Sequence, residues 1–103
     1  PASTQAFVER IGAAKIEMGD TLLWWIALGY DSAKLIADTV KAAGSEPKQI
    51  AGYWNQLKAW PGVFGDITWT PDNHNGYPDN DLVFVEADSF RNGAFKIAPG
   101  YGA

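Results

Sequence analysis

The chain first repeats apolar residues at helical spacing and only later alternates them. Near its start this spacing is set by Phe7, Ile11, Ala14 and Met18. Apolar residues three and four positions apart lie on one face of a helix. We therefore predict a first helix that is capped by the hydroxyl of Ser3 or Thr4. Gly19 is expected to end it, because glycine accepts the left-handed conformation at a helix end.

A second helix is predicted from Asp20 or Thr21 to Gly44. Charged residues recur along one side of it: Asp31, Lys34, Asp38 and Lys41. The opposite side carries Tyr30, Ala33, Ala37 and Val40, with Leu35 and Ile36 flanking. This pattern predicts that the charged side faces solvent while the apolar side is buried.

The tripeptide Ser45-Glu46-Pro47 is typical of the start of a third helix. It offers a hydroxyl cap, an acid in the first turn and an early proline whose missing N–H costs nothing there. The buried stripe of this helix is expected to consist of Ile50, Tyr53, Trp54 and Leu57. The dipeptide Pro61-Gly62 then favours a turn.

The second half of the chain has the pattern of strands. Residues 65–70 are expected to be extended, with Ile67 and Trp69 on one face. The density of Pro, Asp, Asn and Gly in residues 71–81 predicts a loop. Strands over residues 82–87 and 94–98 would pair through a hairpin turn at Asn92-Gly93. Helices followed by strands indicate an α+β arrangement, in one compact unit or part of one.

The composition of the chain is unusually rich in apolar residues. The chain has 103 residues, of which 47% are apolar and five are Trp. A chain of this length forms at most one domain and buries a modest share of its surface. Two interpretations stay open: a dense core around a few aromatic residues, or an exposed apolar surface that contacts a partner.

Charge and cysteine content exclude several classes of protein. The net charge is −4 and the basic residues are scattered, so nucleic-acid binding is not expected. The absence of cysteine excludes disulfides and thiolate metal sites. No apolar run reaches the length of a membrane span. Since the chain begins at Pro1 rather than Met, we expect an upstream segment that was removed or lies outside it.

The polar residues offer little chemistry. The one histidine, His74, lies in a loop-forming segment and is interpreted as a solvated loop residue rather than a catalytic base. Asp79 and Asp81 fit turn chemistry. A calcium loop aligned on Gly76 would place Pro71 and Leu82 at the two anchoring carboxylate positions, so that hypothesis fails. We predict no catalytic residue, no metal site and no cofactor.

Aromatic residues are the remaining candidates for ligand contact. Trp24 and Trp25 are adjacent, so on a helix they point about 100° apart and are not expected to share one pocket. Both are interpreted as packing residues. The other tryptophans are interpreted as core or interface residues: Trp54, Trp60 and Trp69. Tyr30 differs because it combines an apolar body with a polar tip beside a glycine.

Several segments together resemble a known family. They are the helix opening Leu28-Gly29-Tyr30-Asp31-Ser32-Ala33, the tripeptide Ala43-Gly44-Ser45, the Gly-x-Ile-x-Trp pattern of residues 65–69 with residues 71–76, the final strand of residues 82–87, and residues 92–95. This succession resembles the C-terminal portion of the periplasmic solute-binding proteins of ABC importers, in the branched-chain amino acid receptor family.

The resemblance implies an α/β fold of two lobes joined by three crossings. Residues 1–80 would belong to the first ligand-binding lobe, and residues 81–103 would form the last crossing and a terminal hairpin or strand of the second lobe. The chain carries neither the serine and threonine donors nor the parallel sheet of such receptors. The resemblance therefore implies that it is part of a longer protein, completed by the rest of the receptor or by self-association.

The resemblance also implies a function. Such receptors are not enzymes; they capture a small solute and deliver it to an inner-membrane ABC permease. The location implied is the periplasm, or the outside of a single-membrane bacterium on a lipid anchor. The solute would be a small carboxylate such as a branched-chain or aromatic acid. Tyr30 falls where amino-acid-binding members contact solute, and Asp31 is either a second contact or a helix cap.

An alternative from another class stays open. The chain would then be an independent small interaction or carbohydrate-binding module that uses exposed Trp and Tyr residues as a platform. Stacking on aromatic side chains requires no particular fold, so composition alone does not separate the two hypotheses.

Overall fold

A computed structural model describes residues 2–76, 83–91 and 94–101 of the chain. Over these residues it consists of three helices and a two-stranded antiparallel hairpin. In chain order they are α1 (Ala2–Ala13), α2 (Leu23–Ala43), α3 (Pro47–Trp54), β1 (Trp60–Gly62) and β2 (Gly65–Ile67). The predicted order of helices before strands is confirmed for this part of the chain, which is a small α+β unit.

Helix α1 is shorter than predicted and is anchored differently. It ends at Ala13, and Lys15 has a positive φ of 51°, so the chain leaves the helix before reaching Gly19. The prediction that Ser3 or Thr4 caps the helix is wrong. Both lie inside it, and their hydroxyls donate to the carbonyl oxygens of Gly62 and Val63. These bonds join α1 to the distant hairpin.

Helix α2 begins at Leu23 rather than at Asp20 or Thr21. Residues 28–33, expected from the resemblance to open a helix, instead lie in its interior. Its end agrees with the prediction, because Gly44 has a φ of 81° and its N–H donates to the Val40 carbonyl at 2.9 Å. Glycine adopts this conformation without the strain that a Cβ would add.

The predicted orientation of α2 is wrong. Its buried residues are Ala27, Asp31, Leu35 and Thr39, which succeed one another at four-residue steps. The side predicted to be buried is largely exposed and includes Ala33, Ile36, Ala37 and Val40. The charged residues did not mark the solvent side of the helix. The inward side chains of Asp31, Asp38 and Thr39 each have a hydrogen-bond partner, which removes much of the free-energy penalty for burying them.

Helix α3 starts at Pro47, as the proline position predicts. The capping prediction for Ser45 is wrong, since the N-cap position is Glu46 and no side chain caps the helix. The predicted stripe is only partly buried within α3 itself. Tyr53 packs against the core, and the fully buried member, Leu57, lies beyond the helix end.

The β1–β2 hairpin does not turn where the sequence predicts. Pro61 and Gly62 belong to β1, which pairs with β2 from Trp60↔Ile67 to Gly62↔Gly65, and the chain reverses beyond the last pair, at Val63 and Phe64. A Cβ on Gly62 would lie 3.0 Å from Asp31 Oδ2. Gly62 therefore serves close packing against α2 rather than a turn.

The core consists of two adjoining clusters. One contains Leu35, Leu57, Trp60 and Ile67, with Tyr53 and Trp69 packed against it. The other contains Phe7, Ala27 and Val63, with Ile11, Leu23, Ile26 and Tyr30 around it. Both clusters use α2 and the hairpin. Helix α2 is therefore the central element, contacted by α1 and α3 from different positions along its length.

The C-terminal segments pair more sparsely than predicted. Residues 82–87 and 94–98 were expected to form strands, but their described parts show only isolated antiparallel bridges, Val85↔Ile97 and Arg91↔Ala94. The backbone bonds Glu86 N–H to Lys96 O and Ala98 N–H to Phe84 O, both at 2.9 Å, support the same pairing. The predicted turn at Asn92-Gly93 lies outside the described residues, as do Asp79, Asp81 and Leu82.

Candidate functional site

Tyr30 lies where α1 crosses α2. Its ring packs against Phe7 with centroids 5.2 Å apart, and its hydroxyl accepts a hydrogen bond of 3.2 Å from Arg10 Nη1. Arg10 is exposed and carries further N–H donors that can serve a carboxylate. A half-buried aromatic ring beside a guanidinium group can contact a small molecule that combines an apolar body with a negative charge.

Asp31, the adjacent candidate, points to different partners. It is 6% exposed, and its Oδ2 accepts the Val63 N–H at 2.7 Å. Its other oxygen, Oδ1, is buried and has no hydrogen-bond partner. Burial raises the pKa of this carboxyl, against the smaller lowering effects of the Val63 bond and the Lys34 charge.

The interpretation of Asp31 as a helix cap is wrong. It lies in the interior of α2, whose N-cap position is Leu22 without a side-chain cap. Instead it holds the tip of the hairpin against the helix. Tyr30 and Asp31 thus face different neighbours, and their contact with a solute stays a prediction.

A second feature is an apolar surface on α2, here called the outward stripe and made of Trp25, Ala33, Ile36, Ala37 and Val40. The largest of these side chains are 57% (Trp25), 55% (Ile36) and 46% (Val40) exposed. Since a helix rises 1.5 Å per residue, the stripe runs for about 22 Å. An exposed apolar stripe of this length is typical of a surface that another protein segment covers.

The tryptophan pair at the start of α2 is exposed, so the interpretation of both residues as packing residues is wrong. The rings of Trp24 and Trp25 stack at a centroid distance of 4.1 Å and an angle of 23°. Trp24 borders an apolar cavity of about 220 Å³ that Phe7, Val8 and Leu23 also line. Trp25 does not border it, but the stacking shows that the two rings lie side by side, so the prediction that they point about 100° apart is wrong.

A third feature is an open cavity of about 230 Å³ between α3 and the residues that follow β2. We call it the indole cleft; its lining residues are Ala51, Trp54, Asn55, Trp69 and His74. The two indole rings meet edge to face at 5.6 Å and 74°. His74 Nε2 lies 3.0 Å from Asn55 Oδ1 at the exposed rim. The cleft therefore combines aromatic walls with a polar edge.

Sequence reasoning missed the partners that shape these features. Arg10 is twenty positions from Tyr30, and Asn55 is nineteen from His74. Nothing in the spacing pairs them, because both contacts depend on how separate elements pack. Only one wall of the indole cleft could be anticipated from the sequence. Trp69 was predicted to lie on the same face of the chain as Ile67, and this is confirmed, because both are less exposed than their neighbours.

Metal and membrane features are absent from the part of the chain that the structure describes. There, no three His, Cys, Asp or Glu side chains gather as a metal site would require. Among the same residues, no helix has the length and apolar character needed to cross a membrane. Comparison of the chain with protein-family models, with curated protein sequences and with solved structures returns no match.

Proposed function

We propose that this chain is part of the solute-binding component of an ABC import system. In this proposal two α/β lobes close on a small carboxylate-bearing solute, such as a branched-chain or aromatic acid, without a catalytic step. The chain supplies part of the first lobe from residues 1–80, and the last crossing and a piece of the second lobe from residues 81–103. The observation that carries the proposal is the outward stripe of α2.

The outward stripe supports an incomplete unit. Trp25, Ile36 and Val40 expose large apolar surfaces on the longest helix, while the opposite side of the same helix is buried in this chain. Burial of a fully exposed aliphatic side chain stabilises by about 1.5–3 kcal/mol, and about half of the surface of each of these side chains is still exposed. Helices of two-lobed α/β folds pack against a central sheet, so the proposed partner is the rest of the receptor, or a second copy where the rest is missing.

The surroundings of Tyr30 support a carboxylate as the solute. Its ring offers an apolar contact, and the neighbouring Arg10 guanidinium offers charge-assisted hydrogen bonds. The same two groups would bind the neutral amide of such an acid more weakly. Asp31 remains a second proposed contact; its Oδ1 has no hydrogen-bond partner but is buried, so it would have to be uncovered before a donor on the solute could reach it.

The proposed setting follows from this role. The receptor would work in the periplasm, or outside a single-membrane bacterium on a lipid anchor, and would pass solute to the inner-membrane permease. Nucleic acid has no part in the proposal, given the net charge of −4 and the scattered basic residues.

A first experiment tests whether the outward stripe is covered. Sedimentation velocity and native mass measurement of the purified chain should find it self-associated or bound to a larger receptor piece. Ile36→Gln should weaken that association at least tenfold, while Ala42→Gln, an exposed change elsewhere on α2, should not. A monomer at high concentration with a cooperative melt would count against the proposal.

A second experiment tests the solute. Calorimetric titration of the assembled species should detect binding of branched-chain or aromatic acids and weaker binding of their amides. Arg10→Gln should remove the preference for the acid over the amide, because its charge is the proposed cause. Binding that ignores the carboxylate would contradict the solute assignment while leaving the interpretation of the outward stripe intact.

The alternative function, an independent interaction or carbohydrate-binding module, is favoured by the stacked and exposed Trp24–Trp25 pair. Exposed tryptophans are enriched at binding surfaces. A chain that stays monomeric and binds a protein or glycan through this pair would establish the alternative. Trp25→Ala would then abolish binding without affecting the fold.

A further inference from the structure

We propose that the indole cleft is a binding subsite for one pyranose ring of a carbohydrate. The site is separate from Tyr30 and Asp31, and the inference does not rest on the proposed transport function. It is carried by the walls, rim and rigidity of the cleft.

The walls fit the apolar face of a sugar ring. Trp54 and Trp69 stand edge to face at 74°, and both half-buried side chains line the cleft, so each contributes part of its indole surface to the walls. The C–H face of a pyranose packs on such a surface through dispersion and burial of apolar area. The cleft volume of about 230 Å³ lies below the range of about 300–1,000 Å³ that suits drug-sized ligands. A single ring matches this size.

The rim fits hydroxyl groups. Because the Asn55 amide oxygen can only accept, its 3.0 Å contact places a proton on His74 Nε2. In neutral His74 this leaves Nδ1 as an acceptor, and the Asn55 amide retains N–H donors. One hydroxyl of a sugar can donate to His74 Nδ1, and an adjacent hydroxyl can accept from an Asn55 amide N–H. A plain aromatic ligand would use neither group.

The cleft is also held in shape before any ligand arrives. The Trp54 indole N–H donates to Thr39 Oγ1 at 2.7 Å, and that hydroxyl donates to the Leu35 carbonyl at 2.7 Å. On the other wall, a Cβ on Gly76 would lie 2.9 Å from Trp69 Nε1, so the backbone closes directly on the ring. Preformed walls lower the entropy cost of binding.

The test is an NMR titration that follows the indole N–H signals with methyl β-D-glucopyranoside and methyl β-D-galactopyranoside. We expect the Trp54 and Trp69 signals to shift and saturate with a Kd on the order of 1 mM for at least one sugar, as fits one ring with few polar contacts. The backbone N–H signal of Gly12, an exposed residue of α1 outside the cleft lining, serves as the internal control in the same spectra and should not move. Equal shifts of Gly12, or no shift of the two indole signals, would overturn the proposal.

Variants separate a binding site from ordinary packing. His74→Ala removes an exposed rim group and should weaken sugar binding about fivefold, the effect of one hydrogen bond, without changing the melting temperature. Trp69→Phe should weaken it further, while Tyr101→Phe, a change at an exposed aromatic residue outside the cleft lining, should have no effect. Benzyl alcohol is the competing probe: an aromatic ring that binds the cleft better than either sugar would overturn the pyranose assignment.

Discussion

The two sides of α2 depart from the usual distribution of residues, because the inward side buries polar residues beside Ala27 and Leu35 while the outward stripe exposes apolar ones. The inward side carries Asp31, Asp38 and Thr39, each in a hydrogen bond with another part of the chain: the Val63 N–H, the Trp60 indole and the Trp54 indole. The outward stripe is apolar and has no such contacts among the described residues. In a small unit, polar residues on one side of a helix can hold the neighbouring elements in place while apolar residues on the other side stay exposed.

Two tryptophans on opposite sides of α2 give the largest expected contrast. Trp60 is 6% exposed, belongs to the core cluster of Leu35, Leu57 and Ile67, and donates to Asp38 Oδ2 at 2.9 Å. Trp60→Ala should lower the free energy of unfolding by about 3–5 kcal/mol, because it leaves a cavity and an unsatisfied carboxylate. In a chain this small, that loss approaches the total stability.

The matched control is Trp25→Ala on the outward stripe. It should change the free energy of unfolding of the isolated chain by less than about 0.5 kcal/mol, as expected for an exposed site. Urea denaturation monitored by circular dichroism would measure both variants at the same low protein concentration. Equal losses for both would contradict the assignment of one side as core and the other as a free surface.

A smaller difference in the free energy of unfolding is expected between two variants that each remove a hydroxyl from α2. Thr39 is 1% exposed and accepts the Trp54 indole N–H, so Thr39→Val keeps the shape but leaves that donor unsatisfied. We expect a loss of about 1–3 kcal/mol in the free energy of unfolding. Ser32→Ala removes an exposed hydroxyl that bonds only the Leu28 carbonyl in its own helix, and should be nearly neutral.

The same helix shows how far the sequence alone could lead. Its existence and its end at Gly44 follow from apolar spacing and glycine conformation, and both predictions are confirmed. Its orientation could not be predicted, because the residues that satisfy Asp31 and Thr39 lie 32 and 15 positions away. The spacing of apolar residues identifies two faces of a helix, but it does not tell which face the rest of the chain covers.

The indole cleft and the surroundings of Tyr30 were likewise predictable only in part from the sequence. The alternation of Ile67 and Trp69 was visible in the sequence, but the meeting of Trp69 with Trp54 depends on α3 packing beside the hairpin. Likewise Tyr30 stood out as an amphipathic aromatic residue, whereas Arg10 became relevant only through the crossing of α1 and α2. Local chemistry was predictable, and the pairing of distant elements was not.

The smallest expected effect concerns the charge of Asp31. Burial raises its folded pKa above the ordinary value of 3.8, so the folded state binds the proton more tightly than the unfolded state. Its contribution to stability is therefore full below pH 3.8 and is lost as the pH rises through the raised folded pKa. Above that point the ionised carboxylate, with Oδ1 unpartnered, is held in the fold at a cost.

Asp31→Asn tests this directly, because its amide oxygen can still accept the Val63 N–H. The difference in unfolding free energy between this variant and the wild type should shift in favour of the variant as the pH rises from 3.8 to 7. Ser32→Ala, which removes no titratable group from the same helix, should show no such shift. Denaturation midpoints at several pH values would measure both differences. A pH-independent difference for Asp31→Asn would mean that the carboxylate finds a donor in solution, and that this part of the inward side is fully satisfied.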